Sequence, residues 1–316
     1  MRWLVAPFVA LFSALAAAQG FPERPVRIIV PLTPGGSPDT IARAVAAGLQ
    51  GVWSQPVVVE NRPGGSQNIG ADLVAKSAPD GHTWLLAPDN VFAVNPHLGK
   101  QPFDPMTDLL PVTQVARIQF LLVVHPSLPV NSVSELIAYA RARPGELNHG
   151  SSGNGSPQHL GATMLQLLTG TKMNHVPYKG AAPAVADLLP GRIQVWIGAA
   201  NTLLPHVKEG KLKLLASSAA ERFANLGNTP TIGESVPGYA LDPWLGLFVP
   251  AKTPQDVVMK IHADVVKILG GAELKSRLGA QGIELVTNSP SDFARFIRED
   301  HARWGKLIKE AGIKGD

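Results

Sequence analysis

The stretch "VPLTPGGSPDTIARAV", Val30–Val45, changes character three times in sixteen residues. An apolar, β-branched run ends at Pro31, a Pro/Gly loop follows, and Asp39 opens an amphipathic helical pattern that continues to Leu49. Strand, glycine turn and helix in immediate succession is the repeating unit of an α/β sheet. No lysine follows the glycine pair. A phosphate-binding P-loop needs G-x-x-x-x-G-K-[ST], and no such string occurs in the chain.

The same grammar runs outward from this stretch. "VRIIV" (26–30), "PVVVE" (56–60) and "HTWLLA" (82–87) read as strands, with helical patterns at 39–49 and 68–78 between them. Strands separated by helices of this length imply right-handed crossovers and a mostly parallel sheet. "RIQFLLVVHP" (117–126) reads as one long strand leaving this unit. A second unit then repeats the pattern. Ser132 and Glu135 form a capping box, Ser156 with Pro157 opens another helix, and Thr253 with Pro254 opens one in the C-terminal third. The expectation is two doubly wound α/β domains with a ligand cleft between them. Residues 19–122 with 240–316 form the first and 123–239 the second, with the C-terminal helices returning to the first.

Length and composition agree. A chain of 316 residues exceeds one compact core and suits two domains. Met1–Ala18 carries one basic residue, Arg2, before an apolar run ending in "SALAAAQG", which fits a secretory signal cleaved between Ala18 and Gln19. As a membrane anchor the run is short for a ~30 Å hydrocarbon core. No Cys stands at the junction, so lipid attachment is excluded, and an exported protein is expected. The absence of cysteine removes disulfides, thiol catalysis and thiolate metal sites together. Lys and Arg are scattered without a basic stripe, which argues against a nucleic-acid partner.

Glycine-rich turns at strand ends let backbone N–H groups approach a ligand, and a following helix N-terminus adds partial positive charge. "PGGSPD" (34–39) and "GSSGNGSPQHL" (150–160) sit this way in different domains, so their helix ends would face each other as a clamp for an anion with two ends. "NRPGGSQNIG" (61–70) is a third such turn. Catalytic alternatives fail on inspection. A nucleophile elbow from Gly150 and Ser152 would need Gly at 154, where Asn stands, and no H-E-x-x-H pair exists. An enzyme reading would rest on Ser152 or Ser156 as nucleophile; His159 could partner Ser156 but has no orienting carboxylate in sequence. Asp39 would repel an anion and reads as a first-turn acid that organises the loop. The histidines read as packing or surface residues, and Trp244 as lining the cleft or bracing the hinge.

These strings, together with "FDPMTDLLPVTQV", "HVPYKGAAPAVADLLPG" and "TPTIGESVPGYALDPWLGLFVPAKTP", resemble the Bug-type receptors, the solute-binding proteins of tripartite tricarboxylate transporters, over nearly the whole mature chain. The resemblance implies a periplasmic, type II Venus-flytrap receptor without catalytic activity, acting as a monomer. It implies a small carboxylate ligand and integral membrane transporter subunits as partners, with no cofactor and no metal. Carried over by motif, the ligand site comprises Leu32, Thr33, Pro34, Gly35, Gly36 and Ser37, with Asp39 beside them. From the second domain come Ser151, Ser152, Gly153, Gly155 and Ser156, then Tyr178, Ala199 and Ala200. Asp89 and Asn90 of "LLAPDN" are also placed there. Asp89, Leu32, Thr33, Ser66 and Gln67 depart from the family's usual residues, and Asp89 is expected to face the cleft and select against bare dianions. A sensory role toward a membrane signalling partner would share the same fold.

Overall fold

The computed structural model describes residues 20–311. The signal expected at Met1–Ala18 lies outside the described residues. Among them no helix is long and apolar enough to cross a membrane.

The chain forms two lobes, each a twisted sheet covered by helices. In the first lobe β1 (Val26–Val30) leads into α1 (Ser37–Gln50), β2 (Val57–Asn61) into α2 (Asn68–Ala75), and β3 (Thr83–Pro88) into two single turns, α3 (Asn90–Ala93) and α4 (Asn95–Leu98). β4 (Leu109–Ile118) completes this run, and the chain then crosses to the second lobe. There β5 (Phe120–Val124), α5 (Val133–Ala142), β6 (Asn148–Ser151), α6 (Pro157–Thr169), β7 (Asn174–Pro177), α7 (Ala181–Leu188), β8 (Val195–Ala199), α8 (Ala200–Lys208), β9 (Lys213–Ser217) and α9 (Ile232–Ser235) follow. β10 (Trp244–Pro250), α10 (Gln255–Leu269), α11 (Ala272–Gly279), β11 (Ile283–Leu285) and α12 (Pro290–Ala311) return to the first lobe.

The sheet orders are β11-β4-β10-β3-β1-β2 and β7-β6-β8-β5-β9. β1 pairs in parallel with β2 and β3, and β6 with β7 and β8. The remaining pairs are antiparallel: β10 with β3 and β4, β11 with β4, and β5 with β8 and β9. The sheets are therefore mixed rather than mostly parallel. The reason is connectivity. A strand arriving from the other lobe needs no crossover helix, so it can run against its neighbours.

The segment 117–126 is two strands, not one. β4 stays in the first sheet, Gln119 is the crossing point, and β5 pairs in the second sheet from Phe120 on. Ser156 caps α6 as expected, its side chain accepting from His159 N–H, with Pro157 at the first helical position. Thr253 does not cap α10; its hydroxyl donates to Pro250 O (2.8 Å), and the helix begins one residue after Pro254.

Each sheet is buried from both faces. Every residue of β3, β5 and β10 is buried, which is why those stretches read as unbroken apolar runs. α10 lies against α1 so closely that a Cβ on Gly48 would meet Ile268 Cγ2 at 2.6 Å. α12 is tied to β10 where Trp244 Nε1 donates to Asp300 Oδ2 at 2.8 Å.

Candidate ligand site between the lobes

The loop after β1 is held by its own first-turn acid. Asp39 Oδ2 accepts from Gly35 N–H (3.1 Å) and from Arg43 Nε (3.0 Å), and Asn61 Nδ2 donates to Leu32 O (3.0 Å). Burial alone would raise the Asp39 pKa, but the hydrogen bonds from Arg43, Gly35 and Asn61 outweigh it and hold the carboxyl below its ordinary range. Asp39 is thus the loop organiser, and Gly35 spends its N–H on it. Beyond Gly35 the chain turns into α1, whose N-cap, Gly36, provides no side-chain cap. The first N–H groups of a helix have no intrahelical partner, so this end stays open to a ligand.

It opens on a cavity of about 470 Å³ between the lobes. Leu32, Thr33, Pro34, Gly35, Gly36 and Ser37 line it from the first lobe, as expected from the sequence. From the second lobe, Ser152 and Ala199 also line it. α7 and α8 begin at this cavity too, through Gly180–Ala182 and through Ala199, Asn201 and Thr202, and neither has a side-chain cap. Three uncapped helix N-termini from two lobes therefore converge on one space. Each presents roughly half a positive charge. No Lys or Arg lines the cavity; among its lining residues His206 alone is titratable.

The second glycine-rich loop behaves differently from expectation. Its amides are used internally: Gly153 N–H donates to Ser151 Oγ (3.1 Å), and Gly155 N–H to His159 Nδ1 (3.1 Å). Ser151 is buried beneath, 2.6 Å from His175 Nε2, and Ser156 is the α6 cap. None of these four residues lines the cavity. His149, His175 and His159 stack in parallel behind the loop, with 5.0 Å and 3.9 Å between successive ring centroids. Burial, then the neighbouring imidazoles, push His149 down to about 3. Ser152 reaches the cavity, its Oγ donating to Gln158 Oε1 at 2.8 Å.

Other expected contacts lie elsewhere. Tyr178 donates its hydroxyl to Asp187 Oδ2 (2.8 Å); burial and then Asp187 raise its pKa to about 12. Ala200 is buried at the hinge, its N–H bonded to Gln119 O at 2.8 Å. Asp89 does not face the cleft. It is buried under α12, accepts from Asn90 N–H (2.8 Å), and its carboxyl is raised well above the ordinary range by burial and then by Asp300. Asn90 is fully buried beside it. Contrary to the expectation from sequence, Asp89 does not line the cavity and makes no contact through which it could select the ligand by charge.

The lobes touch across the cleft. Ser37 Oγ donates to Asn201 Oδ1 (2.9 Å), joining the starts of α1 and α8. A Cβ on Gly180 would overlap Thr33 Oγ1, and one on Gly155 would meet Leu98 Cδ1 at 2.7 Å. Sequence reasoning missed Gln67, Ile118, Phe120, Gln158 and the α7 entry. The last had a signal: "KGAAPAV" sets a glycine before a helical pattern with Pro in its first turn.

Residues 41–313 match the family model described as the tripartite tricarboxylate transporter family receptor. BugT of Bordetella pertussis is 36% identical over 305 residues, covering 96% of this chain and 94% of that protein. Among solved structures, an R. palustris protein determined with adipate superposes with a TM-score of 0.90 at 39% identity, over 94% of this chain and 100% of that one. The periplasmic binding protein BugD gives 0.88 at 30%, over 94% and 100%. MatC from Rhodopseudomonas palustris, with bound malate, gives 0.86 at 29%, over 91% and 100%. With a match across most of its length, a two-lobed fold and a cleft fitted for an anion, the chain belongs to the receptors of the tripartite tricarboxylate transporter family.

Proposed function

We propose that the protein is a periplasmic receptor that closes on a small organic acid and delivers it to integral membrane subunits of a tripartite tricarboxylate-type transporter. Its family is one of receptors, not enzymes. The supporting observation is the convergence of the uncapped N-termini of α1, α7 and α8 on a cavity without Lys or Arg. A carboxylate there takes backbone N–H donors and the positive ends of three helices, each worth about 0.3–1 kcal/mol and more when partly buried. The adipate and malate held by the structural relatives are carboxylates of this kind. We propose domain boundaries at the two crossings: the first at Gln119, three residues before the expected division at 122, which falls inside β5, and the second between Ser217 and Trp244, where the expected 239 lies. The monomer reading is supported by a cavity lined within one chain.

Hydrolysis finds no support at the serines that raised it. Ser152 is bonded to a glutamine and Ser156 caps a helix. Ser151 meets an imidazole but does not line the cavity.

Thermal melts against a panel of organic acids test the reading. A ligand at 100 times its Kd stabilises by about 2.7 kcal/mol, a rise in Tm of roughly 5 °C or more. Uncharged amides of the same acids should give no shift. A panel in which no acid shifts Tm, or in which amides do as well, would overturn it.

A further inference from the structure

The cavity is larger and more apolar than a small diacid requires. About 470 Å³ corresponds to roughly 16 water volumes, so a diacid of about ten non-hydrogen atoms would leave much of it to water. Leu32, Ile118, Phe120 and Val185 line it with side chains that offer no hydrogen bond.

Charge is arranged at one end. α8 runs along the cavity from Asn201 and Thr202 at its start to Pro205 and His206 in its last turns. At 1.5 Å per residue this is a path of about 10 Å from Ala199 to His206. An anion at the start of α8 meets the positive end of the helix; one at the far end meets the negative end, with an imidazole as the only nearby titratable side chain in the lining.

The unsatisfied polar atoms in the lining belong to neutral or weakly basic side chains. Gln67 Oε1 and His206 Nδ1 are buried without a partner. Gln67 is 5% exposed and follows Ser66; both have left-handed backbones, φ 76° and 50°. Such conformations are strained outside glycine, so this loop holds a long amide at the cavity against its backbone preference.

Resting on the receptor reading above, we propose that the cavity selects a singly ionised, amphipathic acid. Its carboxylate sits at the starts of α1, α7 and α8, and an apolar chain or ring lies along α7 and α8. Any further polar group it carries is uncharged and meets Gln67 or His206. A second ionised carboxylate further along α8 would meet the negative end of that helix, with no Lys or Arg in the lining to offset it, which is costly.

Isothermal titration calorimetry of the full mature receptor against 3-phenylpropionate, octanoate, adipate, malate and 3-phenylpropionamide tests this. The expected order places 3-phenylpropionate or octanoate at least about 10-fold tighter than either diacid, with the amide not binding. A diacid that binds as tightly as both monoacids, or more tightly, overturns the selectivity and leaves the receptor reading standing. If no acid binds, or the amide matches its acid, the receptor reading falls and the selectivity with it.

Discussion

Gly180 stands where the second lobe meets the first, and replacing it with alanine separates backbone strain from lobe closure. Its φ is +134°, a region side chains rarely occupy, and a Cβ built there would overlap Thr33 Oγ1 across the cleft. Gly180→Ala therefore has two effects of different kinds. The backbone strain, about 1–3 kcal/mol, is present whether the lobes are open or closed. It lowers Tm without ligand and leaves affinity nearly untouched. The overlap with Thr33 arises only on closure. Overpacking of this kind costs about 1–3 kcal/mol, which is roughly a 5- to 150-fold loss of affinity.

Thr33→Ala removes Oγ1 and Cγ2 and leaves the Thr33 Cβ position 3.6 Å from the added methyl, an ordinary contact. The double variant should therefore bind within about 3-fold of Thr33→Ala alone while keeping the lowered Tm, a coupling of roughly 0.5–3 kcal/mol. Calorimetry with the tightest acid of the panel reads the affinity, and scanning calorimetry without ligand reads the strain. Binding by Gly180→Ala within twofold of the unaltered protein would refute the reasoning. So would a double variant as weak as Gly180→Ala.

Ser37→Ala removes the hydrogen bond to Asn201 that joins α1 to α8; a loss of about 0.5–1.5 kcal/mol, or roughly 2- to 12-fold in affinity by calorimetry, is expected, with Tm of the unliganded protein little changed. Arg27 grips Glu60 through two hydrogen bonds (2.6 and 3.0 Å) and holds its carboxyl down to about 2; since Arg27 is 40% exposed, screening reduces the pair to about 1 kcal/mol, so Arg27→Ala should lower Tm by about 2 °C. A depressed carboxyl stabilises above its ordinary pKa and loses that as pH falls toward its folded value, so the difference between variant and parent should be full at pH 7 and fade between about pH 4.5 and 2. Asp89→Asn keeps an oxygen for Asn90 N–H and removes a buried charge. Because the Asp89 pKa is raised, that carboxyl costs stability as pH climbs through its folded value, so the variant should gain Tm relative to the parent at pH 8, by about 1 kcal/mol or more, and lose the gain in acid. Its order of ligand preference should be unchanged.

The legible parts of the fold were those fixed by local pattern. "VRIIV" is β1 to the residue, because four of its five residues are β-branched and apolar and all four are buried. Ser156–Pro157 is a helix start whose chemistry is carried by adjacent residues. The crossing at Gln119 is not legible, since in "RIQFLLVV" a single glutamine interrupts the apolar run after Arg117, and one polar residue does not say that Ile118 and Phe120 belong to different sheets. The site divided the same way. The α1 loop was readable from its glycines and proline. The second loop misled, because its glycines serve turn geometry and lobe contact: Gly155 has φ +71° and abuts Leu98. The departure at Asp89 was visible, but its direction is set by α12, more than two hundred residues away in sequence.

The hinge and the cavity floor are the same piece of chain. Ile118 and Phe120 line the cavity on either side of Gln119, and Pro243, Trp244 and Leu245 line it at the return crossing. Gln119 is held by both lobes: its N–H donates to Gly282 O (2.9 Å) in the first, and its carbonyl accepts from Ala200 N–H (2.8 Å) in the second. Ala200 is the first residue of α8. A rotation about Gln119 would therefore move the positive end of α8 toward or away from that of α1 without a relay of intervening side chains. A ligand can shift such an equilibrium only by its differential affinity for the two states. An acid that reaches α1 alone makes the same contacts open or closed and leaves the lobes where they were. A carboxylate held by the starts of both α1 and α8 gains the α8 donors only on closure. Under the proposed reading, closure is thus tied to the ionised carboxylate that both helix ends share.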